Sequence, residues 1–307
     1  MSKTKKEHYI PQSYIKQFSK NGKIVCCYYN GDIKELPIKS ILQAKTIYDS
    51  INAESSKKTL FGIYICNPNL FNKEKLKMEF TKINNNEQYV EKRLSKIEND
   101  FIQVIRGVQS SHSKGKFSLK NHHNRLVIIS FFFLLNHRSP DHLSYIDNLS
   151  SDDFKNIYAP FSIQNDCEQM KSDIKSYSLF SLTYFERRLI HNISDNWNFV
   201  LCKKMSSSGF IFGEHSIHMM SKNELLFPIS TNYAILIQKN INSVENIYHP
   251  VYLTDSYAYL SENEVKKSNF NQACQNKGGI LVGNKQDLKE AILIGDLINK
   301  YVKKRPL

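Results

Sequence analysis

Four short polar segments carry the residues in this chain that could do chemistry, and they lie far apart along the sequence. The first is His8 with Tyr9 and Gln12, placed just before a short helical pattern that Pro11 opens. A histidine in that position could bind a metal, donate to an anion or exchange a proton. The alternative is a surface histidine on a basic tail.

The second segment, residues 136–140, reads NHRSP and follows a strongly apolar helical pattern. Polar groups at the end of a buried helix must reach solvent or face a pocket. Arg138 is therefore interpreted in one of two ways. Its guanidinium either interacts with the carboxyl end of the helix dipole, or it binds a phosphate or carboxylate of a substrate as a two-pronged donor.

The third segment is Gly213-Glu214-His215-Ser216, directly after a strand-like run. A carboxylate and an imidazole at the end of a strand suit acid–base chemistry or metal binding. A polar turn between strands is the alternative. His8 and Glu214 are thus the catalytic candidates, and His8, Glu214 and His215 are the candidate ligands of a metal such as Mg²⁺ or Mn²⁺.

The fourth segment runs from Asn271 to Gln275 within a helical pattern. These two side chains are four residues apart, so they share one face of the helix. We regard both as candidate substrate-binding residues. An ordinary solvated helix face is the alternative.

The opening segment HYIPQSYIKQFS, residues 8–19, resembles the motif H-Y-x-P-x-x-Y-L-x-x-F of the bacterial family called domain of unknown function 4238. Later features occur in the family's order. Arg138-Ser139-Pro140 is similar to its Q-x-x-R-x-P segment, residues 210–217 resemble its strand ending in S-D-x-P-V, and residues 226–230 resemble its F-P-L-S/T element. The resemblance spans about residues 8–283.

The resemblance implies that four distant residues correspond to recurrent polar positions of the family: His8, Arg138, Glu214 and Asn271. Polar groups from distant segments are what a site assembled by folding would show. One departure concerns the carboxylate itself. The family's Asp after Ser is here Glu214 after Gly213, which keeps the charge but lengthens the side chain by one methylene group.

Periodicity predicts the elements that must position these residues. Strand-like runs cover residues 23–29, 33–38, 60–66, 197–202, 209–212, 224–228 and 233–238. Helical patterns cover residues 88–108, 119–137, 151–158, 163–177, 180–193, 262–275 and 288–302. Asn30-Gly31-Asp32 supplies a tight turn, so the first two strands form a hairpin. The apolar run 126–135 marks the middle of a buried central helix.

This order of strands, helices, then strands with helices lacks regular βαβ alternation and predicts an α+β fold. We expect a central helical bundle packed with a mostly antiparallel sheet built from N-terminal and C-terminal strands. Residues 1–7 are predicted to be a basic disordered tail and residues 8–307 a single domain. Its helical middle covers about 86–194 and its β-rich part about 196–240.

The charge balance and the cysteines bear on partners and compartment. Among 307 residues, 42 are Lys or Arg and 29 are Asp or Glu, a net charge of +13 that favours nucleic acid or nucleotide partners. Only seven of the basic residues are Arg, which also fits the amino-acid bias of an AT-rich genome. The six cysteines form no CxxC pair, and no apolar segment follows the lysine-rich start. We therefore expect a cytoplasmic protein without a signal peptide or membrane span.

Two functional hypotheses follow from these residues. The first is a cytoplasmic enzyme acting on a phosphate-bearing substrate, a metal-dependent nuclease or hydrolase that serves as a bacterial antiviral defence effector or toxin. The second is a non-catalytic module that binds nucleic acid or a partner protein, with immunity or regulation as its role. The chain contains no GxGxxG, Walker A, HExxH or GxSxG motif that would select a reaction.

Overall fold

A computed structural model describes most of the chain at the level of side chains. The described residues are 6–28, 31–45, 51–66, 73–84, 89–150, 152, 167–183, 188–214, 219–221, 223–239, 246–276 and 279–302.

The helices and strands of the described residues follow one another in an irregular order. The helices are α1 Gln12–Ile15, α2 Ala53–Cys66, α3 Lys73–Asn84, α4 Tyr89–Ser111, α5 His122–His137, α6 Pro140–Asp147, α7 Cys167–Thr183, α8 Arg188–Asn196, α9 Glu262–Gln275 and α10 Lys285–Val302. The strands are β1 Lys6–His8, β2 Lys23–Cys27, β3 Ile33–Pro37, β4 Gln43–Lys45, β5 Asn198–Lys204, β6 Phe212–Gly213, β7 Met219–Ser221, β8 Glu224–Pro228, β9 Tyr233–Gln238, β10 Val251–Thr254, β11 Tyr257–Leu260 and β12 Leu281–Gly283.

The strands form two sheets and one ribbon. A six-stranded sheet has the order β10-β11-β5-β9-β8-β7, antiparallel except for the parallel pair β11–β5. A four-stranded antiparallel sheet, β3-β2-β12-β6, joins the N-terminal hairpin to strands from the far end of the chain. Strands β1 and β4 pair as a separate ribbon. The predicted α+β class, with N-terminal and C-terminal strands in one sheet, is confirmed.

Helix α5 is the buried centre of the helical region. The Asn121 side chain accepts from the backbone N–H of Asn124 and caps the start of the helix. From Leu126 to Leu135 every side chain is buried except the half-buried Phe133, which confirms the buried central helix predicted from the apolar run. The same hydrophobic cluster includes residues from α1, α4 and both sheets.

Tyr14 connects the opening helix to the six-stranded sheet. Its side chain is fully buried, and its hydroxyl donates to the carbonyl of Pro228 at 2.6 Å. The ring lies 5.1 Å from that of Phe212 and 5.5 Å from that of Phe227, centre to centre. Burial raises the pKa of the Tyr14 phenol well above its ordinary value. The aromatic residues of the opening motif are therefore part of the core.

One predicted strand is wrong. Residues 60–66 form the second half of helix α2, where Leu60 and Ile63, three residues apart, are buried together. Hydroxyl groups fix this helix to α7, since Ser55 and Thr59 bond Ser172 and Ser176. The β-branched residues of this segment favour a strand, but its contact with α7 decides the structure. Tertiary contacts often override intrinsic propensity in this way.

Smaller differences concern the limits of elements. Strand β1 begins at Lys6, inside the stretch predicted as a tail, and residues 1–5 lie outside the described residues. The pairing residues of the run predicted over 209–212 are Phe212 and Gly213 only. The helix predicted over 151–158 falls almost wholly outside the described residues.

Replacing Phe132 with alanine tests the central helix. Phe132 is 1% exposed and its ring centre lies 3.7 Å from that of Phe227. We expect Phe132→Ala to lower the free energy of unfolding by about 3–5 kcal/mol through lost burial and an unfilled cavity. The measurement is a urea titration, with Phe61→Ala as a control because Phe61 is 49% exposed. A loss below about 1 kcal/mol would contradict this account of the core.

Candidate functional site

The ribbon of β1 and β4 places the first candidate residues. His8 lies opposite Gln43 in the β1–β4 pairing, and the backbone N–H of Tyr9 donates to the carbonyl of Leu42 at 3.2 Å. Pro11 directly precedes α1, where its fixed φ of −57° and its missing N–H suit the start of a helix. The short ribbon therefore fixes His8 and Tyr9 ahead of the buried helix α1.

Arg138 lies at the end of α5 and points inward. Its side chain is 5% exposed. One terminal nitrogen forms an ion pair with Glu98 of α4, and the other donates to the backbone carbonyl of His8 at 2.6 Å. The guanidinium therefore joins α4, α5 and β1. Each terminal nitrogen thus has one protein acceptor, so the guanidinium holds Glu98 and the His8 backbone in place, and the role of Arg138 in holding a substrate phosphate stays a prediction.

Glu214 directly follows β6, and both of its carboxylate oxygens accept hydrogen bonds. Oε1 accepts from the Tyr9 hydroxyl at 2.6 Å, and Oε2 accepts from the backbone N–H of Ile280 at 3.0 Å. A β-carbon at Gly279 would lie 2.9 Å from Oε2, so a glycine leaves room for the carboxylate there. Burial, followed by the neighbouring Glu214 charge, raises the pKa of the Tyr9 phenol far above its ordinary value. Tyr9 therefore remains a protonated donor.

Helix α9 positions the strand that leads to Glu214, and it does so with side chains that the sequence analysis missed. Asn269 accepts from the N–H of Ile211 at 3.0 Å and donates to the carbonyl of Gly209 at 2.8 Å. Gln272 accepts from the N–H of Gly213 at 3.0 Å. Their spacing of three residues on one helix face was the signal that could have revealed them.

The two predicted residues of α9 lie elsewhere on that helix. Gln275 is exposed, and Asn271 is half-buried. Asn271 lies beside the phenol of Tyr248, whose pKa burial raises while the Asn271 hydrogen bond acts in the opposite direction. His215, the third predicted metal ligand, lies outside the described residues. The structure thus gathers the segments of His8, Arg138 and Glu214, with Tyr9 rather than His8 as the direct partner of Glu214.

The His8 ring is held between two glutamine amides. Its Nε2 lies 3.0 Å from the amide nitrogen of Gln43, and its Nδ1 lies 3.3 Å from that of Gln12. The Gln43 amide nitrogen also bonds the carbonyl of Lys39, so this atom is a donor and the His8 Nε2 is its acceptor. Burial lowers the pKa of His8, partly offset by a hydrogen bond to the Ile38 backbone. The imidazole is therefore neutral at neutral pH.

A cavity of about 260 Å³ adjoins these residues. Its lining residues come from the opening motif, the end of the first hairpin strand, the connection between β3 and β4, the first residue of β4 and the residue before β12; they are Tyr9, Tyr28, Ser40, Ile41, Leu42, Gln43 and Ile280. Tyr9 and Ile280 are also the two residues that bond Glu214. The cavity and the Glu214 carboxylate thus share two residues.

A divalent metal ion needs several side-chain ligands that lie close together in space. Among the described residues, no group of three or more His, Cys, Asp or Glu side chains is arranged to hold a metal ion. Mg²⁺ and Mn²⁺ prefer several oxygen ligands in an octahedral arrangement. The described part of the site does not supply such a set. In the same described residues, no helix is both long and apolar enough to cross a bilayer.

Comparison with known proteins identifies the family. The chain belongs to the family described as "Protein of unknown function (DUF4238)", whose model matches residues 6–277. This confirms the resemblance inferred from the opening motif, and the matched region contains His8, Arg138, Glu214 and Asn271. No curated protein and no solved structure matches the chain.

Substituting Arg138 tests its internal role. Arg138→Lys keeps the charge, but one ammonium group cannot reproduce the fork that reaches both Glu98 and the His8 carbonyl. We expect the free energy of unfolding in urea to fall by about 1.5–3 kcal/mol, the contribution of a hydrogen bond to a charged group. The exposed Arg106 of α4 provides the control Arg106→Lys. Equal stability of the two variants would show that the Arg138 contacts contribute little.

Protonation of His8 predicts a pH dependence of stability. The pKa of His8 is lower in the folded chain than the value of about 6.5 expected when unfolded. Below about pH 6.5 the unfolded chain therefore binds more protons, and the free energy of unfolding decreases as the pH falls. Melting temperatures measured from pH 7.5 to 5 should fall less steeply for His8→Gln than for the wild type. His249→Gln, at an exposed histidine, should keep the wild-type slope, and an unchanged slope in His8→Gln contradicts the prediction.

Proposed function

We propose that this protein is an enzyme that acts on a phosphate-bearing substrate, with Glu214 as its central carboxylate. The observation that carries the proposal is the 2.6 Å hydrogen bond from the Tyr9 hydroxyl to Glu214 Oε1. It joins the opening family motif to a carboxylate 205 residues further along the chain, beside a cavity. Polar and titratable groups drawn together at a cavity are the usual starting point for assigning an active site.

The Glu214 carboxylate retains the capacity to accept a proton. Each carboxylate oxygen has two lone-pair positions, and Tyr9 and Ile280 use one on each. In the hydrolysis of a phosphate ester, a water oxygen bonds to phosphorus while the ester P–O bond breaks. Glu214 takes the proton that the water loses, and the leaving oxygen takes up a proton from solvent. Tyr9, held protonated, orients the carboxylate.

His8 and Arg138 support this arrangement in different ways. His8 is neutral, and its Nε2 accepts from Gln43, a cavity residue. Arg138 acts as a positioning residue, because it holds the His8 backbone rather than the substrate. The phosphate is then attracted by the net charge of +13 and by surface lysines such as Lys34 on β3.

The cellular setting we propose is the bacterial cytoplasm, where the protein acts as a nuclease-like effector of antiviral defence or as a toxin. Support comes from the family resemblance, from a composition typical of AT-rich genomes and from cysteine usage that suits a reducing compartment. Three of the described cysteines, Cys26, Cys27 and Cys202, are buried free thiols. The positive charge supports nucleic acid or nucleotides as the substrate class.

The Glu214→Gln variant tests the proposal. Its amide oxygen can accept from Ile280 and its amide nitrogen can donate to the Tyr9 hydroxyl, which also accepts, so both contacts can survive without the charge. We expect turnover to fall about 10²–10⁴-fold, the range for loss of a general base, with a melting temperature within a few degrees of the wild type. RNA, DNA and nucleotides are assayed with Mg²⁺, with Mn²⁺ and with a chelator.

The control for this experiment is Glu74→Gln, at an exposed glutamate in the first turn of α3. It makes the same change of charge on another element and should leave turnover and melting unchanged. A large fall in the melting temperature of Glu214→Gln would make Glu214 structural. Wild-type turnover preserved in Glu214→Gln would remove Glu214 from the reaction.

A non-catalytic module for nucleic acid or a partner protein is the second candidate, and one observation favours it. Both oxygens of Glu214 and both terminal nitrogens of Arg138 already have protein partners, as expected of a structural polar cluster. This candidate predicts binding of single-stranded nucleic acid that weakens steeply with salt. Such binding, unchanged in Glu214→Gln and without turnover in the wild type, would favour it over the enzyme.

A further inference from the structure

We propose that the cavity beside Tyr9 binds a single nucleobase, stacked on Tyr28 and recognised through its exocyclic amino group by Gln43 and Ser40. The inference deepens the proposed function and rests on it in one respect. The base belongs to the phosphate-bearing substrate on which Glu214 acts. The size of the cavity, its aromatic wall, its hydrogen-bonding groups and its backbone each support the assignment.

The size and lining of the cavity suit one planar ring system. At about 260 Å³ it is smaller than the ~300–1,000 Å³ of typical small-molecule sites. It therefore fits one base of a nucleotide or of a strand rather than several stacked bases. Five of its seven lining residues are aromatic or aliphatic, namely Tyr9, Tyr28, Ile41, Leu42 and Ile280. The remaining residues, Ser40 and Gln43, provide polar groups.

Tyr28 lines the cavity with an aromatic side chain, and a lysine ammonium lies over its ring. It follows β2, and its backbone N–H donates to the carbonyl of Asp32 at 3.0 Å, which fixes it at the end of the hairpin. The ammonium of Lys34 lies 5.5 Å from the centre of its ring and 3.5 Å from the Asp32 carboxylate. Any nucleobase gains affinity by stacking on a tyrosine ring. A nearby cation attracts the phosphate group that is attached to the nucleoside.

The polar groups of the cavity offer acceptors rather than donors. The Gln43 amide nitrogen faces the Lys39 carbonyl and the His8 Nε2, and an amide oxygen could not face a carbonyl oxygen. These two contacts fix the orientation of the Gln43 amide, because both hydrogens on its nitrogen then have acceptors. Its oxygen is left to accept from a ligand. Ser40 likewise donates its hydroxyl hydrogen to the Pro37 carbonyl at 2.7 Å, leaving lone pairs.

Two acceptors in a small cavity select for a donor on the ligand. Adenine, cytosine and guanine carry an exocyclic amino group, whereas hypoxanthine carries an oxygen in place of the amino group of adenine. An oxygen there would meet the Gln43 or Ser40 oxygen without a hydrogen between them, and two facing acceptors repel each other and lose their hydrogen bonds to water. The cavity should therefore prefer adenine to hypoxanthine although the two ring systems have the same size.

The backbone at the cavity wall is strained. Leu42 has a φ of +54°, in the left-handed region that non-glycine residues seldom adopt. Its side chain is 3% exposed, and its carbonyl accepts from the N–H of Tyr9. As a result Ile41, Leu42 and Gln43 all line the cavity, whereas successive residues of a regular strand alternate between two faces. Backbone strain of this kind clusters at ligand sites.

A fluorescent base measures stacking directly. The probe is 2-aminopurine riboside 5′-monophosphate, whose emission falls when its base stacks on an aromatic ring. Tyr28→Leu should weaken binding about 5- to 100-fold, the effect of losing one base–aromatic stack. Tyr28→Phe keeps the ring and should bind within about twofold of the wild type. Tyr145→Leu is the matched control, because Tyr145 is 62% exposed on α6.

Competition between two nucleotides measures recognition of the amino group. Adenosine 5′-monophosphate should displace the probe at about 2- to 10-fold lower concentration than inosine 5′-monophosphate, the effect of one net hydrogen bond. Gln43→Met removes the acceptor at similar length and should reduce this preference. Melting curves of every variant show whether the fold is kept. Equal competition by the two nucleotides would overturn amino-group recognition.

The source of the base is decided by a second pair of probes. The mononucleotide probe is compared with a single-stranded pentanucleotide that carries 2-aminopurine at one end. Tighter binding of the pentanucleotide, with the same dependence on Tyr28, identifies a strand end as the source. Tighter binding of the mononucleotide identifies a free nucleotide. Failure of both to bind at millimolar concentration, or wild-type binding by a folded Tyr28→Leu, overturns the inference.

The outcomes separate this inference from the proposed function. Probe binding that needs Tyr28, without any turnover that needs Glu214, retains the base site and rejects the enzyme. Turnover that needs Glu214, with a KM unchanged in Tyr28→Leu, retains the enzyme and rejects the base site.

Discussion

The burial of one positive charge, that of Arg138, is the constraint on which the arrangement of the candidate site depends. A guanidinium that is 5% exposed must be paired, because an isolated buried charge is strongly unfavourable. Its partners are Glu98 from α4 and the His8 carbonyl from β1. The guanidinium thus fixes the opening strand against the central helices, and Tyr9, the residue directly after that strand, contacts Glu214.

Two kinds of contact therefore hold the site in place, namely aromatic packing and polar bonds. Tyr14 anchors the opening segment in the aromatic core, with its hydroxyl on the Pro228 carbonyl, while Arg138 and Glu214 hold the preceding residues through polar contacts. Glu214 in turn depends on backbone features, namely the Ile280 N–H and the space left by Gly279. A change in any of these would move the carboxylate relative to the cavity, because each partner belongs to a different element.

Local sequence patterns predicted the helices and strands more accurately than they predicted the contacts between these elements. The sequence Asn30-Gly31-Asp32 and the apolar run of α5 are strong local signals, so the pairing of β2 with β3 and the central helix were predicted. Residues 60–66 were misassigned because their helix depends on contacts with α7. The segments that carry His8, Arg138 and Glu214 do contact one another, through the His8 carbonyl and the Tyr9 hydroxyl, whereas the joint role of the three side chains stays a prediction. The family motif could not show that Tyr9 bonds Glu214 or that Arg138 points inward, because both depend on the path of the backbone.

The amide side chains of α9 have a consequence for association between molecules. Strand β6 is the outer strand of the four-stranded sheet, and outer strands with unpaired backbone groups recruit strands from other chains. Here Asn269 and Gln272 bond the backbone at Gly209, Ile211 and Gly213, every second residue, as a neighbouring strand would. A helix thus replaces the missing strand, and it closes this edge of the sheet to aggregation by strand addition.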